Sequence, residues 1–477
     1  MKACPGRTFW TSLTAATRSN QFPQKRSAQG GTTTNPIIPR YTANTVPESF
    51  FSVRRLDDAL GVAAGILAAV RERGDTAVRH YASQFDRANP ARLEVSSDDV
   101  RAAEETLKNE NPELYQALRH SRDLAMQFAL RQKESFDTFE TELVPGIITG
   151  QKTLPVERAG VYVPGGRFPL FSSVIMGVTP AKAAGCDSVI FCSPPVLHPS
   201  GNPDSPYCDP RILAVASLCG VDRVFAAGGA QAIAAMAYGT ESVPAVNVVV
   251  GPGNKFVTAA KRLVFGEVGI DIPAGPSEVL IIADDSANPA WVAADMLAQA
   301  EHDVDAQAVL LTTSAALADA VTAELEIQLG DIPGDAPARK SLAGNSAIII
   351  VETLEQAVNI ANRKAPEHLE LALEAGGERD RLVNDLRNYG SLFIGHGSAE
   401  ILGDYAAGLN HTLPTSGAAR FTGGLSVRHF LKTVTTLRTG EAGSDRSGWK
   451  ASLAAAEQLA LAEGLTFHAR AARCRMD

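Results

Sequence analysis

The chain has 477 residues, of which 45% are apolar and 20% are charged, as is ordinary for a globular protein of two or three domains. A net charge of −9 argues against a protein that binds nucleic-acid backbones. No stretch approaches the roughly 20 consecutive apolar residues that span a bilayer. The six scattered cysteines have no CxxC spacing, which favours a reducing compartment over a disulfide framework or a Cys-rich zinc module.

Residues 1–47 differ in composition from the rest of the chain. They contain no Asp or Glu, six Lys or Arg and many Ser and Thr, and they lack the apolar core of a secretory signal. This composition is typical of an organellar transit peptide. A disordered tail or a misplaced start codon would also account for it. We expect a plastid or other organelle if the segment is a transit peptide and the cytoplasm otherwise, with the folded chain beginning near Glu48.

Two long helical patterns follow this leader. Apolar residues recur at helical spacing across residues 53–86, with a Gly-Asp break, and again across residues 96–134. Ser97 precedes an Asp-rich first turn and is the expected N-terminal cap of the second pattern. Residues 48–157 are therefore predicted to be a helical start that also holds the first part of α/β domain 1.

Short apolar runs alternate with helical stretches in residues 158–270. Four runs end in Gly or Pro turns ahead of a helix: AGVYVPGG, DSVIFCSPP, RVFAAGGAQAIAAMAYG and AVNVVVGPGN. Repeated strand–helix units predict a parallel sheet with ligands outside the carboxyl ends of its strands, and several glycines fall at those ends. This segment is predicted to be α/β domain 2.

A second series of strand candidates occupies residues 271–425: SEVLIIADD, QAVLLTTS, SAIIIVET, LELAL and GSLFIG. Helical patterns lie between them, including residues 289–302 and 354–365. We interpret this segment as the second part of α/β domain 1. Residues 426–477 are predicted to be a C-terminal helical tail, which ends in the helix GWKASLAAAEQLALAEGLTFHARAARCR.

A dinucleotide fingerprint of the GxGxxG type is missing. The nearest stretch is GPGNKF, residues 251–256, whose sixth residue is Phe256. Its turns would allow backbone N–H groups to approach a phosphate, but ordinary turn glycines look the same. The spacing alone therefore does not establish a nicotinamide site.

An ionisable pair stands at the start of one predicted strand. In APEHLELAL, residues 365–373, Glu367 and His368 follow a proline and precede an alternating apolar run. Two solvated side chains would fit the same pattern. The pair would indicate proton transfer only if the fold brings other polar side chains close to it.

Several other polar side chains could lie close to this pair in the fold. Gln299 and His302 are three residues apart on a predicted helix and would share a face. Asp404 and His411 lie in a segment punctuated by Gly and Pro, and the terminal helix carries Glu463 and His468. Each set is unremarkable alone, but nitrogen and oxygen donors without cysteine would suit Zn²⁺ or Mn²⁺.

Taken in order, the motifs resemble those of histidinol dehydrogenases. The resemblance runs from about residue 53 to the C-terminus through GVYVPGG, GGAQAIAAMAYGTESVP, VVGPGNKFVTAAKR, AGPSEVLIIAD, QAEH, NRKAPEHLEL, GDYAAGLNHTLPT and EGLTFH. That family oxidises L-histidinol through L-histidinal to L-histidine, the last step of histidine biosynthesis. It uses NAD⁺ twice, holds one Zn²⁺ per subunit and works as an intertwined homodimer.

The resemblance also implies a fold. We expect two Rossmann-like α/β domains with an incomplete dinucleotide fold and helical N-terminal and C-terminal extensions. The C-terminal extension, residues 426–477, would be swapped in a dimer whose active sites are shared between subunits.

The resemblance, and not spacing, assigns the site residues. The catalytic pair would be Glu367 and His368. The metal ligands would be Gln299, His302, Asp404 and His468, the last supplied across the dimer. The substrate contacts would be Ser277, Gln299, His302, His368, Asp404, His411, Glu463 and His468, and the NAD contacts would be Tyr162, Gln231 and Asn254.

These assignments imply a mechanism. His368, as a neutral imidazole, would accept the alcohol proton as hydride leaves. Glu367 would activate the water that hydrates the aldehyde before the second oxidation. The metal would orient the substrate's imidazole and amino groups. The cysteines do not match catalytic positions of the family.

One segment leaves the substrate open. PTSGAARFTGGLSVRHFLKTVT, residues 414–435, resembles a side branch of the family that oxidises a sulfonated propanediol. It has Ser416-Gly417 where many histidinol dehydrogenases have Tyr-Gly. Matches at Ser277, Glu463 and His468 favour histidinol.

Two functions of a different class also stay open on the sequence. The first is a zinc-dependent hydrolase, in which Glu367 would act on a metal-bound water. The second is a non-catalytic member of the family, kept for interactions through its dimer. The intact Glu367–His368 pair and the four assigned ligands argue against the second.

Overall fold

The computed structural model describes residues 36–52, 57–86, 88–165, 169–273, 275–441 and 443–476. Its strands and helices follow in the order β1 (Arg40–Thr42), α1 (Asp57–Phe85), β2 (Glu94–Val95), α2 (Ser97–Glu110), α3 (Pro112–Lys133), β3 (Phe139–Val144), β4 (Ile147–Pro155), β5 (Arg158–Tyr162), α4 (Ser172–Ala184), β6 (Ser188–Ser193), α5 (Pro210–Leu218), β7 (Arg223–Ala226), α6 (Gly229–Tyr238), β8 (Val248–Val250), α7 (Lys255–Val264), β9 (Gly269–Ile270), β10 (Glu278–Ala283), α8 (Pro289–Ala300), β11 (Gln307–Thr312), α9 (Ala315–Leu329), α10 (Pro337–Gly344), β12 (Ala347–Ile350), α11 (Leu354–Lys364), β13 (His368–Ala372), α12 (Gly377–Asp385), β14 (Ser391–Ile394), α13 (Glu400–Tyr405), β15 (Leu431–Thr439), α14 (Ser447–Ala462) and α15 (Thr466–Arg473).

The first sheet is parallel and has the order β1-β12-β11-β10-β13-β14. Its central strand β10 reads EVLIIA and is buried at every position, as expected for a strand covered on both faces. Helices α8, α9 and α10 pack on one face, and α11 and α12 pack on the other. This confirms the α/β class predicted for this part of the chain.

The second sheet has the order β2-β7-β6-β5-β8-β9 and is parallel except for β2. Helices α1, α6 and α7 cover one face, and α2 to α5 cover the other. The runs GVYV, VIFC and VFAA supply its core strands, because apolar and β-branched side chains fill both faces.

Two predicted boundaries are corrected by this packing. Helices α1 to α3 and strand β2 pack with the second sheet, so most of 48–157 belongs with 158–270 and not with the first α/β unit. Arg40–Thr42 pairs with β12 inside the predicted leader, so the folded chain begins before residue 47. Residues 1–35, which carry most of the predicted transit peptide, lie outside the described residues.

The predicted helix break, helix cap and helix end are all present, but the cap and the helix end are displaced by one or two residues. The Gly-Asp break in the first helix is found at Gly74, whose φ is 51°. The cap of α2 is Ser96 and not Ser97, since the Ser96 side chain accepts a hydrogen bond from the Asp99 N–H. The helix predicted over residues 289–302 ends at Ala300.

The C-terminal segment is not one helix. β15 pairs with β4 in a third, antiparallel sheet of order β15-β4-β3, a pairing that the sequence pattern did not reveal. The chain then forms α14 and α15, separated at Gly464, whose φ is 77°. A left-handed glycine ends a helix readily, so the predicted continuous helix was wrong. Among the described helices, none is both long and apolar enough to cross a membrane.

Candidate active site

The Glu367–His368 pair lies at the amino edge of the first sheet. α11 ends at Lys364, the chain turns at Ala365 with φ 55°, and β13 begins at His368 beside Val279 of β10. The pair was predicted at the start of a strand, and the structure has it there, in the loop that enters β13. The carboxyl-end location of ligands was predicted for the sheet of residues 158–270.

His368 is buried among three carboxylates. Its Nδ1 lies 3.9 Å from Glu367 Oε2 and 3.8 Å from Glu400 Oε2, and its Nε2 lies 3.6 Å from Asp404 Oδ1. Neither ring nitrogen has a hydrogen-bond partner among the described residues. Glu367 is held by the backbone, since its Oε2 accepts a hydrogen bond of 2.9 Å from Glu278 N–H.

The carboxylates decide the protonation of this imidazole. Burial alone would lower the pKa of His368, but Glu400, Glu367 and Asp404 outweigh it and raise the pKa above the usual range. Burial raises the pKa of Glu367, against the opposing effect of His368. The surroundings thus favour a protonated imidazole, whereas a neutral ring was expected for the general base.

Asp404 and His302 lie near each other, and Gln299 is on α8, which packs against the helix α13 of Asp404. Gln299 is fully buried, and neither its Oε1 nor its Nε2 has a hydrogen-bond partner within the described chain. Burial alone would raise the pKa of Asp404, but the nearby rings of His368, His411 and His302 lower it. His302 lies in the turn beyond α8 and is exposed, so it does not share a helical face with Gln299 as predicted.

His411 and Ser277 also lie at this edge. His411 Nδ1 is 3.2 Å from the Asp404 carbonyl oxygen, and its Nε2 is 3.4 Å from Ser173 Oγ on α4. That second contact joins the first α/β unit to the second. Ser277 is half-buried and immediately precedes β10.

Two predicted site residues stand apart. Glu463 follows α14 as its C-cap, His468 lies on α15, and both side chains are exposed. The structure of one chain does not bring them to the Glu367–His368 edge. Nor do the described residues of one chain form a cluster of three His, Cys, Asp or Glu side chains that could hold a metal.

The predicted NAD contacts gather at the carboxyl edge of the second sheet. Tyr162 ends β5, and its hydroxyl accepts a 3.1 Å hydrogen bond from Gly229 N–H at the start of α6. Gln231 is buried in the same helix. Asn254 caps α7 by accepting hydrogen bonds from the N–H groups of Phe256 and Val257.

A turn between these residues needs glycine. Gly251 has φ 118°, and a Cβ there would stand 2.0 Å from the Tyr162 carbonyl oxygen. The buried Lys261–Asp271 ion pair holds the turn. Lys261 Nζ donates a hydrogen bond to the Gly251 carbonyl oxygen, and the Asp271 carboxylate accepts one from the Gly251 N–H. Gly251, the first glycine of GPGNKF, is thus needed for the backbone conformation of the turn.

Several functional candidates were not predicted from the sequence. Glu400 lies one turn before Asp404 on α13, a spacing that would have revealed it. Glu278 and Lys364 form a buried ion pair of 2.6 Å beside Glu367. Asp86 follows α1 and meets Gln231, and no local pattern marks it.

The buried cysteines are unsuited to nucleophilic catalysis. Burial raises the pKa of Cys186 to about 11 and that of Cys219 to about 12, so both stay protonated near neutral pH. Cys192 and Cys208 are buried as well, and their pKa values are also raised by burial.

Comparison with known proteins decides the family. The sequence profile of the family described as histidinol dehydrogenase matches residues 52–476. The chain belongs to the histidinol dehydrogenase family. A histidinol dehydrogenase from Aromatoleum aromaticum is 46% identical over 426 residues, covering 88% of this chain and 92% of that protein. One from Streptococcus mutans is 43% identical, covering 86% of this chain and 91% of that protein.

A solved histidinol dehydrogenase has the same fold. The crystal structure of the enzyme from Elizabethkingia anophelis superposes with a TM-score of 0.82 at 35% identity, covering 92% of this chain and 98% of that one. Family membership makes this chain an NAD-dependent oxidoreductase and leaves the zinc hydrolase hypothesis without support.

Proposed function

We propose that this chain oxidises L-histidinol to L-histidine in two steps, each reducing one NAD⁺. The observation that carries the proposal is the buried meeting of Glu367, His368 and Asp404 at one sheet edge, with a buried, unpartnered Gln299 on α8, which packs against the helix α13 of Asp404. A purely structural cluster would satisfy the Gln299 amide, because an unmade buried hydrogen bond costs about 1–3 kcal/mol. The cluster is therefore suited to a ligand.

The residues present fit a divalent metal. Gln299 offers a buried oxygen without a partner in the described chain, Asp404 offers a carboxylate, and His302 offers an exposed imidazole beside it. These three would hold the metal, with His468 of a second copy as the fourth ligand. When bound, a divalent metal would orient the substrate's imidazole and amine, and its charge would favour the neutral ring of His368.

His368 and Glu367 divide the proton chemistry in this proposal. His368 accepts the alcohol proton as hydride passes to NAD⁺, which leaves the aldehyde. Glu367 takes a proton from water as that water adds to the aldehyde, and His368 returns its proton to the aldehyde oxygen, which gives the hydrate. The neutral His368 then accepts a hydroxyl proton of the hydrate as the second hydride passes to a second NAD⁺, and the acid that forms ionises to the carboxylate.

The C-terminal tail supports the proposed dimer. α14 and α15 pack on each other, while Phe467 is 82% exposed and Leu459 is 67% exposed. Apolar side chains so exposed at one end of a chain mark an interaction surface. We propose that the tail crosses to a second copy and brings Glu463 and His468 to its site.

The test is NADH formation by purified, zinc-supplied protein. L-histidinol and dihydroxypropane sulfonate are supplied in parallel, and histidine is measured by chromatography. Two NADH for each histidinol, with none from the sulfonate, is the expected result. Turnover of the sulfonate alone would overturn the substrate assignment and direct attention to residues 414–424.

A second test addresses the metal. His302→Ala should lose bound zinc and activity together, with zinc measured by elemental analysis of the dialysed protein. His396→Ala is a matched control, because His396 follows the carboxyl end of β14 and its ring lies near Ser286, whereas His368 is at the amino end of the neighbouring strand β13. Full zinc content in His302→Ala would contradict the assigned ligand set.

A further inference from the structure

Asp86 occupies the corner where the predicted NAD contacts meet. It follows the last residue of α1, and its N–H donates to the Ala82 carbonyl, so the end of the helix fixes its place. Its Oδ1 lies 2.7 Å from where a Cβ on Gly228 would stand. The carboxylate therefore lies against the amino end of α6, beside Gly229 and Gln231.

This carboxylate has acceptor capacity to spare. A carboxylate offers about four acceptor positions. The Gln231 amide donates to Oδ2 at 3.4 Å, and it is the one described side chain that hydrogen-bonds the Asp86 carboxylate. Burial raises the pKa of Asp86 to about 6, against a smaller lowering by Gln231. Near pH 8 the group is ionised and half-buried, and it is poorly supplied with donors.

The charge determines which part of a dinucleotide suits this corner. The amino end of a helix ordinarily attracts a phosphate. An anionic Asp86 at the amino end of α6 repels one instead. The two hydroxyls of a ribose are neutral hydrogen-bond donors. They can donate to the carboxylate oxygens of Asp86 that lack other donors.

We propose that Asp86 binds the adenine-ribose hydroxyls of NAD⁺ and selects against NADP⁺. Gln231 holds the carboxylate in place, and Tyr162 supports the same turn through Gly229. A 2′-phosphate in NADP⁺ would remove one donor and set a dianion beside Asp86. The inference rests on the proposed cofactor contacts and adds the residue that discriminates between the two dinucleotides.

The test compares both cofactors in one set of variants. Asp86→Asn keeps the size of the side chain and removes its charge, so the KM for NAD⁺ and the Kd for NAD⁺, measured by calorimetric titration without histidinol, should each rise about tenfold. The NAD⁺-to-NADP⁺ ratio of kcat/KM should fall by about tenfold or more, while the KM for histidinol is unchanged. Asp86→Glu should retain part of the preference.

Two controls keep the result interpretable. Asp98→Asn makes the same change at an exposed position on α2, and neither KM nor preference should change. Asn254→Ala reports on the proposed cofactor site itself. If Asn254→Ala weakens NAD⁺ binding and Asp86→Asn does not, the Asp86 inference fails alone.

The remaining outcomes are equally decisive. If neither Asn254→Ala nor Asp86→Asn changes the KM for NAD⁺, the proposed cofactor site is wrong. If Asp86→Asn raises the KM for both cofactors equally, Asp86 has a structural role and the selectivity proposal is overturned. Thermal melting of each variant identifies any that fail to fold.

Discussion

At the scale of single residues, Glu367 and His368 are neighbours in sequence with different surroundings. Glu367 Oε2 accepts a hydrogen bond from the Glu278 backbone N–H, whereas neither ring nitrogen of His368 has a hydrogen-bond partner among the described residues. A carboxylate whose pKa is raised by burial is a stronger base than an ordinary one. This difference supports the proposed role of Glu367 as the base that deprotonates water.

Glu367→Gln should separate the two oxidations. Removal of the base should slow acid formation by about a hundredfold, and aldehyde formation should fall only a few-fold, because general-base catalysis contributes roughly 10²–10⁴. The measurement is NADH per histidinol with an aldehyde trap present. The expected value falls from two towards one.

Glu370→Gln is the matched control for that experiment. Glu370 is buried on the same strand, and its Oε1 accepts a hydrogen bond from Glu400 N–H, which an amide oxygen would also accept. Its stoichiometry should stay at two. An unchanged rate of histidine formation in Glu367→Gln would refute the assigned role of Glu367.

At the scale of elements, the mouth of β10 and β13 is joined to the loop near residue 416. Glu278 begins β10 and pairs with Lys364 at the end of α11, and its second carboxylate oxygen accepts a 2.8 Å hydrogen bond from Ser416 N–H. Ser416 has φ 55°, which non-glycine residues rarely adopt. Glu278 thus helps to hold the loop, the strand entry and, through its N–H, Glu367.

Lys364→Met should destabilise the protein strongly, because it leaves Glu278 buried without its partner. Breaking one side of a buried ion pair costs about 3–5 kcal/mol of unfolding free energy. The double variant Glu278→Gln/Lys364→Met should recover much of that loss. The measurement is urea unfolding at one protein concentration, with the KM for histidinol recorded for each folded variant.

The kinetic readout distinguishes positioning from stability alone. If Glu278 positions the loop, Glu278→Leu/Lys364→Met, which removes the acceptor of the Ser416 N–H, should have a higher KM for histidinol than Glu278→Gln/Lys364→Met, whose amide oxygen can still accept that hydrogen bond. An exposed pair of the same type, Arg381–Glu355, is the control and should change neither quantity measurably. Additive single effects on stability would show that the pair is not coupled.

Elements differ in how well the sequence predicts them. β10 is found readily, because six consecutive buried positions leave an apolar run that no loop would carry. The packing of α1 to α3 on the second sheet was missed, because which sheet an amphipathic helix covers depends on distant residues. His302 was misplaced for a local reason: α8 ends at Ala300, and no Gly or Pro marks that end.

The residues of the site also differ in how well the sequence predicts them. Glu367, His368 and Gln299 could be assigned from motifs that carry a family resemblance, and all three are buried. Glu278, Lys364 and Asp86 act through contacts between residues up to 145 positions apart, which no single-sequence pattern records.

At the scale of the whole molecule, one chain holds an incomplete set of the assigned ligands. Gln299, His302 and Asp404 meet at the sheet edge, while His468 stands exposed on the tail. A tail that crosses to a second copy would complete two sites at once in a symmetric dimer. Each site would then combine the body of one chain with the tail of its partner.

Mixing two inactive variants tests this arrangement. His302→Ala damages the body and His468→Ala damages the tail, so each homodimer should be inactive. In a mixed dimer one site receives both damaged parts and the second site receives neither. Random pairing makes about half of the dimers mixed, so about a quarter of wild-type activity should return after co-expression.

The control pairs His302→Ala with Asp404→Asn. Both changes lie in the body of the chain, so every site in a mixed dimer keeps one of them and no activity should return. Recovery in the first pair but not in the second requires the shared site, whereas no recovery from folded mixed dimers would place the whole site within one chain.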